Sequence, residues 1–211
     1  VSDLREDVSV LYKGRKGSVD FIDVPSLLFA LMPGQGDPEG PEFADALQAL
    51  FTVSYAAHFG LKKQTGELTK VMPLEALWWL DGAGDEDSME AVTAGFGGLP
   101  GTGRGSWRWQ AMMVQPDPID EALLEQAREQ SRGKKLPALD RLRFERWEEG
   151  RCAQTLHVGP YADEAGTIAV LDAAITAAGL KVHGKHHEIY LGDPRRSAPD
   201  KLRTLIRHPV A

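Results

Sequence analysis

Lys185-His186-His187-Glu188-Ile189-Tyr190-Leu191-Gly192-Asp193-Pro194-Arg195-Arg196 sets two histidines, a carboxylate and a phenol in one β-prone run that ends at an Asp-Pro turn. Side chains on a strand alternate between faces, so His186, Glu188 and Tyr190 point one way and His187, Ile189 and Leu191 the other. A carboxylate on an otherwise apolar strand is costly unless something meets it. The surrounding chain decides whether that face lines a pocket or meets water.

Working upstream, Arg141 to Glu148 and Arg151 to Val158 read as a hairpin about Glu149-Gly150. Gly159-Pro160-Tyr161 makes a turn, and a helix follows from about Glu164 to Ala178, with Ile168, Leu171, Ala174, Ile175 and Ala178 on one stripe and Gly179 as its stop. Downstream, Leu202 to Val210 is a short final strand, and Pro209 favours a sheet edge.

The first half carries the same order. Residues 1 to 20 form an arm that leads to a buried strand at Val24 to Met32. Gly34-Gln35-Gly36-Asp37-Pro38 is a turn without the Gly-Lys-Ser/Thr ending of a phosphate loop. Between Pro41 and Phe59 the apolar positions recur at three and four, with Tyr55 and His58 on or near the buried stripe, and Gly60 is expected to end this helix. Leu74 to Leu80 is a strand, Asp81 to Gly105 a long Gly-rich excursion with one short helix at Ser88 to Ala94, and Ser106 to Pro116 a third strand. Asp120 to Ser131 is a polar amphipathic helix with Asp120 as its cap.

Strand, Gly-containing turn, helix, strand, strand thus occurs twice. The expected fold is α+β: one domain over residues 1–211, built from two βαββ repeats (about 20–116 and 139–211) joined by the helix at about 120–131. An antiparallel sheet with pseudo-two-fold symmetry surrounds a central ligand cleft, with the helices on its outer face. In this register Glu75 is expected opposite Glu188, and Glu75, Trp79, Glu188 and Tyr190 are expected to line the groove.

Bulk properties narrow the function classes. Twenty-four basic against thirty-one acidic side chains among 211 residues give a net charge of −7, which repels nucleic acid. The cluster Arg195, Arg196, Lys201, Arg203 and Arg207, interspersed with Asp193 and Asp200, reads as a solvated rim. No apolar run reaches the roughly 18 residues of a membrane span, and Val1 to Asp7 lack a signal-peptide pattern, so a cytoplasmic protein without a membrane partner is expected. The lone Cys152 makes no intramolecular disulfide and reads as strand packing. His186 and His187 face opposite ways and His183 has the same parity problem with His186, so neither a metal nor another cofactor is expected.

Five runs carry a family resemblance: Val71-Met72-Pro73-Leu74-Glu75-Ala76-Leu77-Trp78-Trp79, Ser106-Trp107-Arg108-Trp109, Gln115-Pro116-Asp117, Leu156-His157-Val158-Gly159-Pro160-Tyr161, and the opening stretch from Gly184. From about residue 20 onward the chain resembles the stand-alone GyrI-like small-molecule-binding proteins. The resemblance implies two βαββ repeats around a ligand cleft, a fold also used by the drug-sensing domains of some transcription regulators. In its tryptophans and Glu-Ile-Tyr motif the chain is similar to a subfamily that hydrolyses cyclopropane-bearing DNA-alkylating natural products in an aromatic cage; it departs from that subfamily in the Gly-rich insertion after Trp79.

That resemblance implies xenobiotic resistance by water addition to an electrophilic cyclopropane. The substrate is expected to lie flat among Trp79, Trp107 or Trp109, Phe144 and Tyr161, with Glu75 and His157 as further binding residues. Glu188 orients the water and Tyr190 donates to the developing oxyanion. The same aromatic and acidic groups suit a non-catalytic protein that sequesters planar or cationic drugs, since aromatic faces and a desolvated carboxylate both attract positive charge. The family name suggests a third reading, an inhibitor that interacts with a DNA topoisomerase. A hydrophobic or aromatic small molecule is the expected partner; oligomeric state is open.

Overall fold

A computed structural model describes residues 8–66, 69–80, 82 and 106–211. The short helix expected at Ser88 to Ala94 lies outside the described residues. Among the described residues there are eight strands: β1 (Val19–Val24), β2 (Leu27–Gln35), β3 (Leu74–Leu80), β4 (Trp107–Val114), β5 (Arg143–Trp147), β6 (Gly150–Val158), β7 (His186–Tyr190) and β8 (Arg203–Pro209). The helices are α1 (Pro41–Thr65), α2 (Glu121–Ser131) and α3 (Ala165–Ala177).

All eight strands join one antiparallel sheet, a curled half-barrel, in the order β1-β6-β8-β7-β3-β4-β2-β5. The order is symmetric about the β7/β3 seam, as the α+β reading with two repeats requires. Each repeat also has a leading strand that it lends to the other: β1 pairs with β6, and β5 with β2. The hairpin expected about Glu149-Gly150 therefore does not form, and what was read as a single strand at Val24 to Met32 is divided at Pro25-Ser26. The exchange forces the curl. In a flat sheet β1 and β2 would stand six strand spacings apart, about 29 Å, whereas the two residues joining them reach only about 10 Å.

Two further expectations are corrected. β8 is an interior strand between β6 and β7; Pro209 is tolerated there because it is the last strand residue, and its carbonyl accepts from the His183 N–H at 3.0 Å. Helix α1 continues through Gly60 to Thr65, and Gly60 faces α2, where a Cβ would meet Leu123 Cδ1 at 3.4 Å. Tyr55, expected near the buried stripe, is exposed and stacks with Phe51 and Phe59 along α1. Asp120 does cap α2, accepting from the Leu123 N–H at 2.9 Å.

The helices cover one sheet face. Beneath them Ala30, Met32, Trp78, Trp109, Ala111 and Met113 pack against Phe43, Ala46, Leu50 and Val53 of α1. Trp109 lies directly over Gly34, with its ring edge-on to Phe43 at 4.9 Å. The opposite face carries Phe29, Leu31, Leu77 and Met112, and residues 8–14 cross it as a strap whose Val8 joins this smaller core.

A buried ionic cluster ties the strap to the seam. His187 gives Nε2–H to Glu75 Oε2 at 3.0 Å and Nδ1–H to Glu149 Oε1 at 2.9 Å, so its ring is an imidazolium held between two carboxylates. Arg207, expected on a solvated rim, is buried; it donates to Glu149 at 3.2 Å, to Gln154 at 3.0 Å and to the Leu11 carbonyl at 2.6 Å. The Tyr12 hydroxyl closes the group by donating to Glu75 Oε1 at 2.6 Å. Burial alone would lower the His187 pKa, but Glu149 and then Glu75 more than reverse this and raise it to about 9. Burial likewise pushes Glu149 up, while His187 and Arg207 bring it down to about 2.

Two tests follow from this packing. Gly34→Ala drives a methyl into the Trp109 ring and is expected to cost about 1–3 kcal/mol in urea unfolding, whereas Gly133→Ala, which has open space around it, leaves the midpoint unchanged. Because the folded pKa of His187 lies above its unfolded value, its stabilisation is complete below about pH 6.5 and is lost as pH rises through about 9. Nitrogen-15 NMR of the His187 ring is expected to show that alkaline midpoint, with a contribution on the order of 3 kcal/mol disappearing from the unfolding free energy across the window; a midpoint at or below 6.5 contradicts the ionic arrangement.

Candidate functional site

On the helix-covered face, β7 presents His186, Glu188 and Tyr190, as strand alternation requires. Glu188 stands across the seam from Ala76, and His186 from Trp78. The strand is central because both its neighbours pair along it, and Glu188 is therefore only 3 % exposed. The turn after β6 brings Tyr161 and Glu164 over this strand just ahead of α3. The Tyr161 ring meets the Tyr190 ring edge-on at 5.7 Å, and Trp78 Nε1–H donates to the Tyr190 hydroxyl at 3.1 Å.

The acidic centre of this site has two carboxyl groups. Burial, and then the charge on Glu188, push the Glu164 carboxyl up to about 10, with the Thr204 hydroxyl opposing weakly. Burial and the Glu188 charge also raise both phenols, Tyr161 to about 12 and Tyr190 well above the ordinary value, so each keeps its proton and acts as a donor.

Glu188 is oriented from behind. His186 Nε2 is 3.0 Å from Glu188 Oε1, and His186 Nδ1 is 3.0 Å from His208 Nε2. Beyond, His208 Nδ1 lies 3.5 Å from Asp172 Oδ1 on α3. Burial holds His208 down to about 4, so it is neutral. His186 thus meets the carboxylate through Nε2 and His208 through Nδ1, while the other ring nitrogen of His208 faces Asp172. Donor atoms of Glu164, His186 and Glu188 lie within 4.8 Å of one another, the one such buried group among the described residues with donors suited to a cation. Glu164 comes from a separate element, so the parity of histidines within β7 does not bear on this grouping.

The expected site residues divide between places. Glu188, Tyr190 and Tyr161 come together. Glu75, expected opposite Glu188, pairs with Ile189 in register and lies on the other sheet face in the ionic cluster with His187 and Tyr12. Trp79 shares that other face, packs with its core and carries the Lys185 ammonium 3.5 Å from its ring centroid. Trp107 and Trp109 are fully buried in the helix-side core. Phe144 is on edge strand β5 beneath the Arg128 guanidinium. His157 has both ring nitrogens engaged, Nε2–H donating to the Pro160 carbonyl at 3.1 Å and Nδ1 meeting the Thr167 hydroxyl at 2.8 Å, so it pins the turn that carries Tyr161. Sequence reasoning missed Glu164, His208, Asp172 and Trp78. Glu164 reads as an ordinary helix-start acid, and only the fold shows that it points inward.

Residues 18–211 match the GyrI-like small molecule binding domain. A solved structure described as an uncharacterized conserved protein from Listeria innocua is 32% identical, with 99% of this chain and 98% of that chain covered and a TM-score of 0.82. A structure described as a hydrolase from Listeria innocua is also 32% identical, with 98% of each chain covered and a TM-score of 0.76. The EcmrR C-terminal domain, at 9% identity over 92% of this chain and 97% of that one, has a TM-score of 0.54 and shares the fold. No curated protein matches. With all but the first seventeen residues matched, this chain belongs to the GyrI-like small molecule binding domain family.

Proposed function

We propose that this protein is a hydrolase that opens an electrophilic cyclopropane in a DNA-alkylating natural product by adding water at the Glu188 site, and so protects against such xenobiotics. The observation that carries the reading is a buried carboxylate, Glu188, oriented by His186 and faced by two phenols that retain their protons. Strained-ring opening needs a base for the water and donors for the oxygen on which negative charge develops. Glu188 takes the water proton, Tyr190 donates to the developing oxyanion, and Tyr161 and Trp78 supply aromatic walls that favour an electron-poor carbon. The description of a Listeria innocua relative as a hydrolase supports the same direction.

A non-catalytic binder of planar cations is the second reading, favoured by the same juxtaposition of carboxylate and aromatic rings. Incubating purified protein with a cyclopropane-type alkylator and following the product by mass spectrometry separates the two. The expected result is a water-added product over many equivalents; tight binding without that product establishes the binder instead. Under turnover conditions Glu188→Gln is expected to lower kcat by about 10²–10⁴-fold while substrate binding persists, and Tyr190→Phe by about 10²-fold. Full activity in Glu188→Gln would remove Glu188 as the base.

A further inference from the structure

We propose that Glu164 holds, as a carboxylic acid, a single proton that it shares with Glu188, and is the proton donor of this site. The catalytic half of this proposal rests on the hydrolytic reading above; the shared proton does not.

Among the described residues, no cation is among the groups that act on Glu164. Glu164 is 5 % exposed and Glu188 3 % exposed, and their ligand oxygens lie within 4.8 Å of each other. Two carboxylates at that separation repel by about 3 kcal/mol even at an effective dielectric of 20, before the cost of burying each charge is counted. The groups that face them are His186 and Tyr190 from β7, Tyr161 from the turn, Thr204 and His208 from β8 and Trp78 from β3. His186 meets Glu188 through Nε2, His208 is neutral, and the phenols retain their protons. Glu164 Oε1 meets no hydrogen-bond partner among the described residues. A proton on Glu164 removes the second charge, in keeping with the upward displacement of its carboxyl to about 10.

The pair then closes the reaction's proton balance. The water oxygen bonds to the ring carbon as the ring C–C bond breaks, and that bond's electron pair moves to the substrate oxygen on which the negative charge develops. Glu188 takes the water proton, and Glu164 gives its own to the new oxyanion while Tyr190 holds that oxygen by a hydrogen bond. The pair still contains one proton, now on Glu188, and its return to Glu164 resets the site with no net gain or loss.

Infrared titration of the intact protein in heavy water tests the shared proton. The wild type is expected to show a carboxylic-acid C=O band at pH 7 that disappears only well above the ordinary carboxyl range; Glu164→Gln loses it, and Glu188→Gln keeps it with a lower midpoint. Absence of the band, its survival in Glu164→Gln, or stoichiometric uptake of Zn²⁺ or Mn²⁺ that removes it overturns the proposal. If Glu164→Gln fails to fold, the wild-type midpoint decides: near 10 supports the proposal, near 4.5 overturns it. With an alkylator as substrate, Glu164→Gln is expected to lower kcat by about 10²–10⁴-fold and to abolish the alkaline limb of the pH–rate profile; unchanged kcat overturns the donor role. A Glu164-dependent band in a protein that hydrolyses no cyclopropane refutes the hydrolytic reading and leaves the shared proton standing.

Discussion

A buried histidinium held between Glu75 and Glu149 joins the two repeats where they meet at the centre of the sheet. Glu75 comes from the first repeat, while His187, Glu149 and Arg207 come from the second, and the strap at residues 8–14 adds Tyr12 and a backbone carbonyl. Removing any one of the four charged partners leaves a charge buried without compensation, which is far costlier than the net worth of the intact cluster. The arrangement therefore specifies how the repeats and the strap fit together more than it adds raw stability.

That constraint also positions the candidate site. Because His187 must face the ionic cluster, the two-residue period of β7 sends His186, Glu188 and Tyr190 to the helix-covered face. The two sides of this strand then differ in electrostatics. On one side two carboxylates meet two cations and both His187 nitrogens are satisfied. On the other, among the described residues, Glu188 and Glu164 meet His186, Thr204 and two phenols. The balanced face holds the structure together, and the unbalanced face leaves two buried carboxyl groups close to each other, an arrangement characteristic of candidate functional sites.

Much of the fold was legible because it rests on local signals. The Asp120 cap, the helical period from Pro41, the apolar stripe of the second-repeat helix and the alternation around Glu188 all act within a few residues, and the doubling of their order gave the two repeats. Exchange of β1 and β5 between repeats was hidden, since a two-residue link such as Glu148-Glu149 has the length of a hairpin turn whether or not its strands pair. Gly60 was likewise ambiguous: it resembles a helix stop, but the helix continues through it to Thr65.

By itself the sequence determined that His186, Glu188 and Tyr190 share a face, because the pleat of a strand admits no other arrangement. It also carried the motifs that mark the GyrI-like family. Only the tertiary structure decided what that face meets. Register across the seam placed Glu75 on the far side with His187, and the return of the chain from β6 into α3 placed Glu164 and Tyr161 above Glu188. Local spacing fixes direction within one element, whereas proximity between elements depends on strand order, curl and packing.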